Sequence, residues 1–354
     1  MGANGEEKEG SSHRRVPTLP DSELRTPNSP VRPAVSLYTL GLNDTLTAAA
    51  RKIIGKQEAR MREHTPKTRK GGGSEALHDM RVATRRLRFA LKLFSPWMPP
   101  GRADRLRGEL RRTALVLGRV RDLDVFLEEL PGLMDRAQLG EEDRKIILGL
   151  LKRKRGQGRA VLVRSLRSRR HRRMARALRR MPMNPQADIP VKEEAARMIR
   201  EAGDRLRDFA RKADFAKSED LHRLRILFKR LRYTCEYFLD LYGPALEGAI
   251  ARFVRFQDCL GKYQDGVAGS SILSGLMKPE GVPPSWLEGM GRLQNVLREK
   301  RGLQREEFSE FWPEFPLTMR AFFKRIRLGP APSRTVRGSA SAGCGGSGAL
   351  PPDK

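Results

Sequence analysis

Arg81, Arg85, Arg88 and Lys92 follow His78 at spacings that gather all five on one side of a helix. At 100° per residue the four cations fall within about 80° of the histidine, while Met80, Ala83, Leu87, Leu91 and Phe94 lie on the far side. The same design returns 144 residues later. His222, Arg225, Lys229 and Arg232 form the second cationic stripe. Leu224, Leu227, Phe228, Leu231 and Cys235 form its apolar counterpart, and Glu236 stands where Lys92 stood. Like charges at i, i+3 and i+4 cost a helix roughly 0.2–0.5 kcal/mol per pair. A solvated surface helix can avoid that cost by alternating Glu with Lys, and neither stripe does. Two such stripes in the same order suit the chemistry of holding a polyanion.

Catalytic chemistry has no comparable signature. Gly55-Lys56 and Gly261-Lys262 lack the preceding spacing and the Ser or Thr of a phosphate loop. HExxH, GxSxG and GxGxxG motifs are missing, so no enzyme, cofactor or metal site is expected. Asp122, Asp124 and Asp265 are better suited to capping a helix or pairing with a buried Arg than to ligating metal.

The 354 residues carry a formal charge of +29 and a pI near 11.0. The two tails, 1–34 and 328–354, contribute about +2, leaving about +27 on the body between them. A partner of strongly negative charge follows. Aromatic residues make up only 6% of the chain, so surfaces for stacking bases are scarce. That balance favours bare phosphate over single-stranded nucleic acid. Cys235, Cys259 and Cys344 show no CxxC spacing, which suits a reducing cytoplasm. No signal peptide and no run near the ~18 apolar residues of a membrane span is visible, so a soluble cytoplasmic protein is expected.

Taken in order, residues 1–34 read as a disordered tail rich in Pro, Ser and Gly. Periodicity then predicts a helix over 36–64, a flexible loop over 65–74, and the first stripe helix, stopped by Pro96, Pro99 and Pro100. Helices follow over 104–117, from the Leu117-Gly118 turn to about 136, and over 141–180. The last holds 14 Lys or Arg between Lys152 and Arg180. Pro182 and Pro185 close the first half, 35–182. The second half, 190–327, repeats the plan: a helix over 191–213, the second stripe helix, and a helix over 245–260. A Leu260-Gly261 turn, a short helix to about 277, and helices over 286–308 and 317–327 complete it. Residues 328–354 form a low-complexity tail.

The Leu-Gly-x-x-x-Asp signal recurs at an offset of 143, matching Gly118 with Gly261 and Asp122 with Asp265. Two signals in the same order indicate duplication of a helical unit. The fold class is all-α: two antiparallel bundles related by an approximate two-fold axis. If the stripe helices face each other across that axis, their cations line a shared groove.

The sequence resembles the CHAD family, α-helical domains named for their histidines, which bind inorganic polyphosphate. The resemblance rests on His78-x-x-Arg81-x-x-x-Arg85-Arg86-x-Arg88 with Leu117-Gly118-x-x-Arg121-Asp122, and on His222-x-x-Arg225-x-x-x-Lys229-Arg230-Leu231-Arg232-Tyr233 with Leu260-Gly261-x-x-Gln264-Asp265. It covers roughly residues 36–326. The resemblance implies two pseudo-symmetric bundles enclosing a basic channel around a phosphate chain, with association with polyphosphate granules in some members. His78, Arg81, Arg85, Arg88, His222, Arg225, Lys229 and Arg232 carry over as channel residues. Arg86, Lys92, Arg121, Arg230 and Lys262 join the candidate polyphosphate-binding set, as do Arg169, Arg173 and Arg176 from the Arg-rich run. Gln264 in place of Arg121, and Glu236 in place of Lys92, imply a weaker grip by the second half. The expectation is non-catalytic polyphosphate binding. The alternative is a nucleic-acid-binding protein that uses a basic outer face, with nucleic acid otherwise only a competing polyanion.

Overall fold

The computed structural model describes residues 38–71, 73–184, 188–276 and 284–327. The expected tails, 1–34 and 328–354 with Cys344, therefore lie outside the described residues, as do residues 35–37, Pro185 and the expected helix end near 277. Eleven α-helices are described, and no strand occurs among those residues. They are α1 (Leu46–Lys70), α2 (Gly73–Leu93), α3 (Arg102–Arg136), α4 (Glu141–Arg167), α5 (Arg169–Arg179), α6 (Val191–Ala210), α7 (Ser218–Tyr237), α8 (Leu239–Tyr242), α9 (Pro244–Ser274), α10 (Pro284–Phe311) and α11 (Glu314–Arg327). A 3₁₀ turn at Ser95–Trp97 follows α2, where the prolines were expected to end it.

Helix α1 starts later and ends later than its periodicity suggests. Thr45 caps it, its hydroxyl accepting the Ala48 amide at 3.3 Å. The expected loop over 65–74 is mostly helix. Pro66 sits on the exposed side within α1, the Thr65 hydroxyl donates to the Met61 carbonyl at 2.7 Å, and the Thr68 hydroxyl donates across to Ala76 of α2 at 3.2 Å. The reversal is confined to the region of Gly71, whose φ of 98° favours a residue without Cβ.

The two Leu-Gly-x-x-x-Asp signals are not turns. Gly118 lies inside α3 and Gly261 inside α9, each a single long helix. A mid-helix glycine costs about 1 kcal/mol against alanine. Leu110, Leu117, Val120, Leu123, Phe126 and Leu130 form an unbroken buried row through that point, and each is worth about 1.5–3 kcal/mol. Burial wins. Conversely, the expected helix over 141–180 breaks at Ser168, which leaves helical geometry (φ −65°, ψ 150°) and accepts the His171 amide at 3.1 Å, capping α5.

Helices α1 to α4 pack each on the next, and α5 returns against α1 and α3. The same arrangement recurs with α6, α7, α9 and α10, where α11 returns against α6 and α9. Contacts between these groups run through α1 with α6, α2 with α7, and α3 with α9 and α10. The starts of α1 and α6 are tied by Leu46 N–H to Ile189 O at 2.8 Å and Val191 N–H to Asp44 O at 3.0 Å. Gly269 allows α9 to approach α3 closely, since a Cβ there would meet Phe126 Cε2 at 2.9 Å. Many aromatic rings are spent on the core: Phe228 stacks on Phe256 at 5.1 Å, and Phe253, Phe308, Phe315 and Phe322 are buried around them. No helix among the described residues is long and apolar enough to cross a membrane.

Candidate polyanion site

Burial of the apolar faces aims the stripes. Met80, Ala83, Leu87 and Leu91 are buried where α2 packs on its neighbours α1 and α3. Leu224, Leu227, Phe228, Leu231 and Cys235 are buried where α7 packs on α6 and α9. The opposite faces of α2 and α7 then meet, and the cations they carry converge.

Arg81 and Arg85 of α2 lie close enough to Arg225 and Lys229 of α7 to influence their ionisation directly, and Arg232 of α7 acts in turn on Arg85 and Lys229. Lys229 shows the effect most strongly. Burial, then the guanidiniums of Arg85, Arg225, Arg81 and Arg232, push its amine down to about 5. Arg85 is lowered first by burial and then by Arg81, Arg232 and Arg86, against Tyr233, and Arg225 first by burial and then by Arg85 and Arg81, against Asp265 and Tyr233. Their Nε–H groups are buried, and no described residue accepts from either. Unmet donors of this kind are costly unless a ligand or water receives them.

Tyr233 organises the floor of this cluster. The guanidiniums of Arg85, Arg86 and Arg232 stand 5.7, 5.3 and 5.3 Å from its ring centre. Burial alone raises a phenol, yet Arg85, Arg232 and Arg86 together outweigh it and lower Tyr233 from its ordinary value. Its ring leans on Phe89 at 5.9 Å. No role for Tyr233 follows from the sequence. The only available signal was an aromatic residue set among arginines.

Carboxylates surround the cluster without filling it. Asp122 receives Arg81 at 3.4 Å. Asp265 faces Arg225, and Asp258 faces Arg232, Lys262 and Lys229. Burial holds all three acids above their ordinary range, against the pull of those cations. Asp124 is buried against Arg155. The three aspartates singled out from sequence therefore sit in the middle of helices beside arginines, and the capping role does not apply. No group of three or more His, Cys, Asp or Glu among the described residues could hold a metal ion.

The remaining candidates divide. His78 faces Arg121, Arg85 and Arg81, and burial followed by those cations lowers its imidazole, with Asp79 opposing. His222 Nδ1 is 2.8 Å from Gln264 Oε1, so Gln264 orients the ring. Arg121 donates to Ser74 Oγ at 2.7 Å and lies 3.6 Å from Glu128. Lys262 turns toward Glu307 at 3.7 Å. Arg86 is held by Glu236. Arg88, Lys92 and Arg230 lie with Arg107 and other cations in a second group. Arg169, Arg173 and Arg176 are exposed on α5, which packs on α1, α3 and α4.

A family model described as the CHAD domain matches residues 52–274. The chain belongs to the CHAD family. The family match runs from early α1 to the end of α9, while α10 and α11 extend past it. Two solved structures share the fold. The CHAD domain from the plant Ricinus communis superposes with a TM-score of 0.61 at 23% identity, covering 84% of this chain and 97% of its own. PptA from Streptomyces chartreusis superposes with a TM-score of 0.65 at 17% identity, covering 76% of this chain and 99% of its own. No curated protein sequence matches. The CHAD family is associated with polyphosphate binding.

Proposed function

We infer that this CHAD domain binds inorganic polyphosphate without turning it over, in a basic channel between two bundles that arose by duplication of a helical unit. The halves would be 35–182 and 190–327, and the soluble domain would work in the cytoplasm, at polyphosphate granules where these form. One observation carries the reading: Arg81 and Arg85 converge with Arg225, Lys229 and Arg232 in a half-buried cluster that its carboxylates do not neutralise.

An empty cluster of this kind repels itself, and a linear oxyanion relieves the repulsion along its whole length. Guanidinium forks suit bidentate contact with successive phosphates. The arriving negative charge favours the ammonium form of Lys229, which adds a cation where the ligand needs one. Stacking surface is not required, which fits the burial of so many aromatic rings in the core.

Titration with polyphosphate of defined lengths, beside duplex DNA at equal ionic strength, tests the reading. Polyphosphate should bind at far lower phosphate concentration and displace DNA. Tighter DNA binding that survives loss of Arg81 and Arg225 would instead assign the function to nucleic acid on the exposed arginines of α5. Phosphate release in the presence of Mg²⁺ or Mn²⁺ would overturn the non-catalytic part.

A further inference from the structure

From Arg144 to Met181 the chain carries sixteen Lys or Arg and no Asp, Glu, Phe, Tyr or Trp, so its counter-charge must come from elsewhere. Helix α5 sorts that charge by face. His171, Met174 and Leu178 are buried where α5 packs on α1, α3 and α4. Every exposed position of α5 is arginine. At 100° per residue Arg169, Arg172, Arg173, Arg176 and Arg179 fall within an arc of about 120°.

The rest of the fold leaves these five uncompensated. Glu109 of α3 receives Arg170 at 2.6 Å, and Arg112 takes the same carboxylate. Glu58 of α1 is buried and faces Arg62 at 3.7 Å. Among the described residues no carboxylate pairs with Arg169, Arg172, Arg173, Arg176 or Arg179. Arg164 and Arg167 are exposed on the last turn of α4 and continue the unpaired charge up to Ser168. Arg172 donates to the Arg167 carbonyl at 3.0 Å across that corner, which leaves its charge unspent. Like charges at i, i+3 and i+4 disfavour α5 as a helix. The Ser168 cap and the buried Met174 and Leu178 hold it all the same.

The shape and composition of this face select the occupant. Guanidinium forks match phosphate oxygens. With no aromatic ring in the run, the bases of a single strand have nothing to stack on. Met174 and Leu178 are spent on the core, so α5 has no apolar side to sink into a lipid surface. The outer side of a helix encloses nothing, and a thin flexible chain would give up its freedom there for contact on one side only. A duplex is already stiff, and it presents about one charge per 1.7 Å of axis. We propose that the arginine face of α5, continued by Arg164 and Arg167 of α4, binds the backbone of duplex nucleic acid without reading its bases, beside and independent of the central cluster.

Fluorescence anisotropy of the full chain with a short DNA duplex of mixed sequence is the test. The wild type should bind the duplex more tightly than either of its strands. Arg169→Gln, Arg173→Gln and Arg176→Gln together should weaken duplex binding about tenfold or more and lower the slope of log affinity against log salt by about three. Arg169→Lys, Arg173→Lys and Arg176→Lys together should keep the slope, which separates lost charge from a lost fold. One equivalent of a short polyphosphate, enough for the central cluster alone, should leave the duplex in place, and only excess chain should compete for α5 and release it. Arg85→Gln should spare the duplex, whatever it does to polyphosphate. The proposal is overturned if the Gln variant keeps the wild-type slope or loses polyphosphate and duplex equally. It is also overturned if Arg85→Gln weakens the duplex as much as the Gln variant does, or if one equivalent of polyphosphate releases it. Tighter binding of a single strand, or of anionic phospholipid vesicles, through the same arginines overturns the choice of duplex.

Discussion

Arg86 of α2 and Glu236 of α7 form an ion pair at 2.6 Å in which each side chain keeps 11% of its surface exposed. Glu236 also lies 3.5 Å from Arg232, and the Tyr237 hydroxyl donates to the Arg86 carbonyl at 2.8 Å. These contacts fasten the helices that carry the two stripes. Breaking a pair this deeply buried strands a charge, so Glu236→Ala should destabilise the protein by about 3–5 kcal/mol. Replacing both partners, as in Arg86→Met with Glu236→Leu, should recover most of the loss. Urea unfolding of the three variants checks both outcomes.

Lys229 sets a pH dependence whose sign can be worked out. Its folded value of about 5 lies far below the roughly 10.4 of a free lysine. Between those values the unfolded chain binds the proton and the native state does not, so stability rises with pH. The penalty is full below about pH 5 and fades as pH climbs toward the free value. Asp122, Asp258 and Asp265, held high by burial, act in the opposite sense on the acid side. The ligand-free protein should therefore gain stability from pH 6 to pH 9, and Lys229→Met should flatten that rise.

Polyphosphate should bind with net uptake of protons near neutral pH, through Lys229 and His78, whose ionisation is lowered for the same two reasons. Affinity should increase from pH 8 to pH 6. Calorimetry in buffers of different ionisation enthalpy reads the proton count directly, and equal affinity at both pH values would rule out the protonation role.

Affinity built from many cations should fall steeply with salt. Removing one phosphate contact, as in Arg81→Ala, should lower the slope of log affinity against log salt by roughly one. Reversing charge at both Arg81 and Arg225 to Glu should abolish binding. In the wild type, polyphosphate at a hundred times its Kd should add about 2.7 kcal/mol of stability, and thermal melts of the reversed variant should show no gain.

Close approach of α9 to α3 depends on Gly269. A Cβ placed there meets Phe126 Cε2 at 2.9 Å and Cδ2 at 3.0 Å. Gly269→Ala should cost about 1–3 kcal/mol by overpacking, measurable as a lower urea midpoint, despite the better helix propensity of alanine.

Much of the fold is legible in the residues alone. Helical spacing of Met80, Ala83, Leu87, Leu91 and Phe94, and of Leu224, Leu227, Phe228, Leu231 and Cys235, predicts which face of each stripe helix is buried, and these residues are buried. The cations then had to lie opposite. Gly118 and Gly261 misled the reading because local propensity suggests a break, while buried rows on either side carry α3 and α9 straight through. Ser168 misled it the other way, since a cap inside a charged run leaves no gap in periodicity.

By itself the sequence determined the class of the fold, the two matched helices and the excess of positive charge, because each depends on residue type and near-neighbour spacing. Only the tertiary structure decided which cation faces which partner. It joined Arg86 to Glu236 across 150 positions and placed Arg169, Arg173 and Arg176 on an outer helix. Charge interactions fall off with distance through space, and no spacing along the chain records how near two helices come once their apolar faces are buried.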